Sequence, residues 1–268
     1  MSNYLKENVN FANRYRLVEF LGNGKNTEVW HAFDTFANVD VAIKFYIINV
    51  NIDDVLRKFA MIFGINHTNI LHPVYIGSHD GIIYVIMQYC NNGNIAKFIA
   101  EKRRFKEEIC WQIMHDVSAG LSYLHGLHIP ILHLDIKPDN VLIQKNGSYM
   151  ITDFGISDYF DENNIKMVNG TIAYMAPERF MENNPPVKAN DIWSLGAMMF
   201  EIMSNGELPF GEMGGSLQTA TDTIPQVMGD YSPDLKQMVY RCLAYYPWER
   251  PVAKEIKEFS YNKLLSYK

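Results

Sequence analysis

Residues 131–155 read ILHLDIKPDN (131–140), VLIQKNGSYM (141–150) and ITDFG (151–155). Two carboxylates, Asp135 and Asp153, each follow a short apolar run, Ile131-Leu132 and Met150-Ile151, that reads as buried β-structure. Lys137 and Asn140 lie between them. Hard oxygen donors beside a fixed cation outline a metal and phosphate site.

Moving a phosphoryl group from a nucleotide to a hydroxyl needs three things: a carboxylate to orient the hydroxyl and accept its proton, oxygen ligands for Mg²⁺, and a cation over the moving phosphate. The spacing His-x-Asp-x-x-x-x-Asn supplies Asp135 and Asn140 from one loop, Lys137 adds the charge, and Asp153 brings a second oxygen ligand. These two segments, in this order and at this range, resemble the catalytic loop and Asp-Phe-Gly segment of the eukaryotic-type protein kinases. The resemblance implies an α+β, two-lobed fold with a small, mainly β N-lobe and a larger, mainly α C-lobe. It implies ATP and Mg²⁺ as cofactors, with Asn140 and Asp153 on the metal and Asp135, Lys137 and Lys44 as catalytic residues.

Bulk properties narrow the class. At 268 residues the chain can bury a sizeable core, and 48% hydrophobic with 20% charged residues is a globular composition. A net charge of −6 argues against nucleic acid as the main partner. Cys90, Cys110 and Cys242 lack CxxC spacing and read as small buried residues in a reducing compartment. The first fifteen residues have no apolar core of a signal peptide, and no window approaches the roughly 18 apolar residues of a membrane helix. The expectation is a soluble cytoplasmic protein with no membrane partner.

Residues 15–48 alternate as a β-hairpin does. Arg16 to Leu21 leads into Gly22-Asn23-Gly24-Lys25-Asn26-Thr27, then Glu28-Val29-Trp30-His31-Ala32-Phe33, and a turn at Asn38–Asp40 leads to Val41-Ala42-Ile43-Lys44-Phe45. Glycines there let backbone amides approach phosphate oxygens. By resemblance, Leu21, Gly22 and Gly24 form the phosphate loop, Val29 and Ala42 cover adenine, and Lys44 holds the α and β phosphates. Ile82 to Met87 reads as a buried strand running into Gln88-Tyr89-Cys90. This resembles the last small-lobe strand and hinge, with Met87 beside the adenine, the backbone of Gln88 and Cys90 bonding it, and Leu142 below it. The lobes then divide as 1–88 and 89–268, with a single kinase domain at about 13–260 and no room for a second.

Three positions depart from the family pattern. Thr27 stands at the third glycine, where its branched Cβ restricts the loop. Lys58 stands where helix C carries the glutamate that pairs with the strand lysine, and no glutamate occurs between Glu28 and Glu101. Asp54 or Asp53 could replace it by a shift of the helix, or Lys44 could be held by the nucleotide alone; alternatively Asp54 is a cap residue or a partner of Lys58. In the helix itself, Val55, Phe59 and Ile62 form an apolar stripe. Leu134 replaces the arginine before the catalytic aspartate, and residues 158–169 contain no Ser or Thr. Together these predict no control by activation-loop phosphorylation.

Further along, Ile109, Ile113, Val117, Leu121 and Leu124 mark one buried face of a helix over 107–125, with His115 and His125 read as surface or end-of-helix residues. Gly170 to Glu178 and Asp191 to Gly196 resemble the family's substrate-docking loop and its central C-lobe helix. By resemblance, Glu178 pairs with Arg250 and Asp191 braces the catalytic loop, while Lys137 and Thr171 fit the serine/threonine branch. Residues 210–234 are glycine-containing and polar, so the helix there is expected to be short or irregular. The protein substrate would present a Ser or Thr hydroxyl. The competing class is a pseudokinase, a nucleotide-binding or scaffolding module without transfer.

Overall fold

The computed structural model describes residues 5–24, 26–47, 51–102, 104–154, 158–159, 170–181, 184–219 and 224–267. The chain divides into two compact units, one up to Asn66 together with Leu71–Asn91, the other His67–Ile70 together with the chain from Asn92 on.

The first unit is a six-stranded antiparallel sheet and one helix. Its strands are β1 (Asn10–Phe11), β2 (Tyr15–Gly24), β3 (Thr27–Asp34), β4 (Val39–Tyr46), β5 (Pro73–His79) and β6 (Ile82–Gln88), in the order β1-β2-β3-β4-β6-β5. Alternation along each strand sorts the side chains between two faces. One face carries the core: Leu17, Trp30, Ala32, Ile43, Phe45, Tyr84 and Ile86 are all buried. Phe11 meets Phe45 and Tyr84 edge-on at 4.8 and 5.1 Å. The register fixes what shares the other face. Val29 pairs with Lys44 and Lys44 with Val85, while His31 pairs with Ala42 and Ala42 with Met87.

Helix α1 spans Ile52–Ile62. The Asn51 side chain caps it, accepting the N–H groups of Asp53 and Asp54, and these two carboxylates lie in the first turn, where the helix dipole favours them. Val55 and Ile62 of the expected stripe are buried, whereas Phe59 is half-buried and stacks on Phe63 at 4.9 Å.

The second unit is built on helices α2 (Ile95–Ala100), α3 (Glu107–His125), α4 (Lys188–Met203), α5 (Pro233–Cys242) and α6 (Ala253–Leu265). Short strands β7 (Ile131–Leu132), β8 (Val141–Ile143), β9 (Tyr149–Ile151) and β10 (Asp158–Tyr159) pair as β7 with β10 and β8 with β9. Helix α4 is buried almost throughout, with Trp193 and Leu195 fully inaccessible, which explains its near-continuous apolar sequence. Helix α3 buries Ile113, Val117, Leu121 and Leu124 as its pattern predicts.

One reading of α3 needs correction, and another holds in only one of its two forms. Ile109, in the first turn, is 37% exposed, because that turn is buried through Cys110 and Trp111 instead. His125 ends the helix but is buried rather than on the surface, since its ring is drawn to the inaccessible Asp191 carboxylate. The segment His67–Ile70 belongs to this unit through hydrogen bonds from Asn69 Nδ2 to Tyr149 O (2.8 Å) and from Ile151 N to Asn69 O (3.0 Å). A Cβ on Gly120 would stand 3.0 Å from Asn69 O, so the glycine in α3 makes room for that segment. In the 210–234 region Gly211–Leu217 forms 3-10 turns broken at Gly214, where φ is +51°, an irregular element in line with its composition. Among the described residues, no helix is long and apolar enough to cross a membrane.

Candidate active site

The loop between β7 and β8 is held from beneath by one carboxylate. Asp191, near the start of α4 and fully buried, accepts the backbone N–H groups of His133 (3.0 Å) and Leu134 (2.7 Å) and the His125 ring N–H (2.8 Å). Burial alone pushes this carboxyl up, but the hydrogen bonds from His125 and the Leu134 N–H help outweigh it and leave it below the usual range. The His133 ring accepts from Asp135 N at Nδ1 (3.3 Å), which places its own hydrogen on Nε2, facing Thr152 O at 2.9 Å. Phe154 packs edge-on against the same ring at 4.9 Å. Thus His133 ties the turn at Asp135 to the residues flanking Asp153. Both Leu134 and Asp153 have positive φ, 65° and 62°, a conformation that non-glycine residues adopt only when their surroundings enforce it.

Three residues then close around the Asp135 carboxylate. Oδ1 accepts from Thr171 N (3.0 Å) and Thr171 Oγ1 (2.9 Å). Oδ2 accepts from Asn140 Nδ2 (2.9 Å) and faces Lys137 Nζ at 3.0 Å. Lys137 also donates to Thr171 Oγ1 at 2.6 Å, and Asn140 Nδ2 reaches Asp135 O at 2.8 Å. With its amide nitrogen committed to Asp135, Asn140 has Oδ1 to offer a cation, a hard oxygen of the kind Mg²⁺ takes. The backbone brings Asp153 into the same neighbourhood, because Thr152 N donates to Asn140 O at 2.9 Å. The donor set present, one amide oxygen and one exposed carboxylate, fits Mg²⁺. Among the described residues, no group of three or more His, Cys, Asp or Glu is placed to hold a metal ion.

Thr171 belongs to a segment pinned at several points. Ser194 Oγ donates to Tyr174 O (2.6 Å), Gly215 N to Met175 O (2.9 Å), and Tyr174 OH to Glu201 Oε2 (2.6 Å). A Cβ on Gly214 would stand 2.2 Å from Ile172 O and one on Gly215 2.4 Å from Pro177 N, so this glycine pair lets the two backbones touch. Glu178 and Arg250 pair as expected, bidentate at 2.6 and 2.8 Å and buried.

In the sheet unit, Val29, Ala42, Lys44 and Met87 lie on the face opposite the core, in adjacent cross-strand rows, and Gly22 pairs with Val29. Leu21 and Gln88 are exposed, and Cys90 is half-buried. Gly24 pairs with Thr27, whose Oγ1 lies 2.7 Å from where a Cβ on Gly24 would stand. The threonine at the third glycine position is therefore accommodated by the glycine opposite it. Lys25 lies outside the described residues. Leu142, half-buried on β8, belongs to the second unit with Asp135, Lys137, Asn140 and Asp153.

Asp54 pairs with Lys58 at 2.8 Å and with Arg57 at 3.1 Å. These cations outweigh its partial burial and hold its carboxyl below the usual range. Among the readings open for Asp54, the pairing with Lys58 is formed. Residues 160–169, on which the absence of a phosphorylatable hydroxyl bears, lie outside the described residues.

Sequence reasoning used Thr171 only as a branch marker and missed its two bonds to Asp135. Its distance of 36 residues from that aspartate leaves no local signal. The His133 link and the Tyr174–Glu201 bond were also missed. Asp191 and the Glu178–Arg250 pair were found, through the resemblance.

The centre of the candidate site is thus an aspartate braced by an amide, an amine and a hydroxyl, above a buried carboxylate and beside an oxygen-donor loop. The chain belongs to the eukaryotic-type protein kinase family: the model of the protein kinase domain matches residues 15–262. It is 35% identical to mitogen-activated protein kinase kinase 3 of Arabidopsis thaliana over 69% of this chain and 36% of that one. With mitogen-activated protein kinase kinase 2 of the same plant it shares 30% over 94% and 73%. With the probable serine/threonine-protein kinase PknB of Lactococcus lactis it shares 26% over 92% and 40%. The chain thus spans about a third to three quarters of the length of these relatives.

Proposed function

We propose that this chain transfers the γ-phosphoryl group of ATP, with Mg²⁺, to Ser or Thr hydroxyls of a protein substrate. The observation that carries the reading is the closed network of Asp135 with Lys137, Asn140 and Thr171. In the reaction, the acceptor oxygen forms a bond to the γ-phosphorus, the bond from that phosphorus to the β,γ-bridging oxygen breaks, and ADP departs. Asp135 orients the hydroxyl and takes its proton, and Lys137 faces the charge on the moving group. Asn140 and Asp153 would hold Mg²⁺, which supplies charge neutralisation on the phosphates when bound. Lys44 serves the α and β phosphates, and Leu21, Gly22, Gly24, Val29, Ala42, Met87, Gln88, Cys90 and Leu142 serve the rest of the nucleotide.

Leu134, in place of an arginine that would bind a loop phosphate, supports activity without activation-loop phosphorylation. Three free cysteines support a reducing, cytoplasmic setting. One observation favours a second reading, nucleotide binding without transfer: Lys58 occupies the helix position of the expected glutamate and takes Asp54 as its own partner.

The test is transfer from labelled ATP to the chain itself and to a generic Ser/Thr protein, with Mg²⁺ and with Mn²⁺, beside Asp135→Asn and Asp153→Asn. Transfer by the wild type that both substitutions abolish is the expected result. ATP binding with transfer no greater than in the variants would move the chain to the second reading.

A further inference from the structure

The proposed nucleotide site leaves one arrangement on the sheet unexplained. The rings of His31 and Tyr89 are stacked, with centroids 3.9 Å apart and planes 4° from parallel. His31 lies on β3, Tyr89 directly follows β6, and β4 runs between those strands. The pairings His31 with Ala42 and Val41 with Gln88 place the stack across β4 at its Asp40–Ala42 end, away from Lys44. The two side chains therefore bridge a strand rather than pack as direct cross-strand neighbours.

The histidine is itself fixed. Its Nε2 is 2.7 Å from Asp40 Oδ1, and its side chain is only 14% exposed although Asp40 is mostly in solvent. A planar stack oriented by a hydrogen bond at its edge constrains both the distance and the tilt of the partner ring. Tyr89 lies between Gln88 and Cys90, the two residues whose backbone the proposed reading assigns to the adenine. A free chain leaving a strand end would lose conformational freedom each time it bound a base, and that cost weakens binding.

We infer that His31 is a positioning residue: held by Asp40 and stacked on Tyr89, it fixes residues 88–90 in the conformation that reads the adenine. The inference rests on the nucleotide reading above and adds to it the element that organises the base-binding segment before the ligand arrives. His31 lies opposite Ala42, away from Lys44, so its removal should act on nucleotide affinity and leave the chemical step unchanged.

Calorimetric titrations of wild type, His31→Ala, His31→Phe and Asp40→Ala with Mg-ATP and, separately, with adenosine test this, with circular dichroism and thermal melting to establish folding. Loss of a stacked, hydrogen-bonded ring should weaken both ligands by the same factor, about tenfold, in His31→Ala. His31→Phe keeps the stack and should stay within about threefold of wild type, with the exposed Asp40→Ala between the two. In transfer assays KM for ATP should rise in His31→Ala while kcat holds. Unchanged affinity for both ligands in folded His31→Ala and Asp40→Ala, or weakening of Mg-ATP without adenosine, would overturn the positioning role and leave the kinase reading standing. A wild-type chain that binds neither ligand would instead defeat the nucleotide reading, and this role with it.

Discussion

Asp191 Oδ1 accepts the backbone N–H of Leu134 at 2.7 Å, and Leu134 sits at a φ of 65°. A leucine in the left-handed region is strained, by about 1–3 kcal/mol, and persists only where its surroundings over-determine it. Asp191 supplies that constraint, because its carboxylate also holds His133 N and the His125 ring. The strained turn is what presents Asp135 to Asn140, Lys137 and Thr171.

Asp191→Asn should therefore damage both stability and turnover. The amide offers one acceptor where three donors converge, and its own NH₂ would face an N–H. A loss of about 3 kcal/mol is expected in denaturant unfolding, from charged hydrogen bonds in a buried site. The wild-type carboxyl is held below its usual range against the effect of burial, with the help of the hydrogen bonds from His125 and the Leu134 N–H. A depressed folded pKa gives stability that is present above the unfolded value, about 4, and lost as pH falls below it. Unfolding measured from pH 6 down to pH 3 should show this loss in wild type and its reduction in Asp191→Asn.

Thr171→Val removes the hydroxyl that bonds both Asp135 Oδ1 and Lys137 Nζ while keeping the shape and the backbone N–H. With the carboxylate and amine less well placed, kcat should fall about 10- to 100-fold, and KM for ATP should change little. Thr171→Ser should restore most of the rate. Steady-state kinetics on the three proteins decide it, and equal kcat values would show that Thr171 does not position Asp135.

How much of this was legible beforehand depends on the range of the interaction. Alternation in residues 15–48 and the apolar period of α3 mark elements whose pattern is local, and the sheet and helix follow it. Asp135, Lys137 and Asn140 fall within six residues of one another, so their grouping could be read directly. Thr171 and Glu201 could not, because a turn and a helix far along the chain carry them to the site. The burial of His125 was likewise hidden: its partner Asp191 is 66 residues away, and a polar residue at a helix end looks solvent-facing from sequence alone.

Glu201 should make stability pH-dependent near neutrality. Burial pushes its carboxyl up to about 7, with Asp139 and Glu212 adding repulsion and the Tyr174 hydroxyl pulling the other way. Between about pH 4.5 and 7 the folded chain holds a proton that the unfolded chain has released, so stability falls as pH rises through that interval. Glu201→Gln keeps an oxygen acceptor for Tyr174 without the charge. Because the side chain is partly exposed, a gain of about 1–2 kcal/mol over wild type is expected at pH 8. Little difference is expected at pH 5, and chemical denaturation at the two pH values measures it. An equal effect at both would mean that Glu201 does not titrate in this range.

The Glu178–Arg250 pair should be the costliest of these sites to break. Arg250 donates to both carboxylate oxygens and to the carbonyls of Ala189, Ala244 and Tyr245, and its side chain is inaccessible to solvent. Removing the guanidinium in Arg250→Met leaves a buried carboxylate supported, among the described residues, by Asn190 Nδ2 at 2.5 Å, and three carbonyls without this donor. The expected loss is about 3–5 kcal/mol, because an uncompensated buried charge costs far more than the net worth of the pair. For a chain of this size that lowers Tm by roughly 10 °C. Arg250→Lys should recover little, since one ammonium cannot reproduce the planar fork that reaches five acceptors. The double variant Glu178→Gln with Arg250→Met should be more stable than Arg250→Met alone, because the stranded charge is gone. If it is equally unstable, the cost lies in the backbone carbonyls and not in the ion pair.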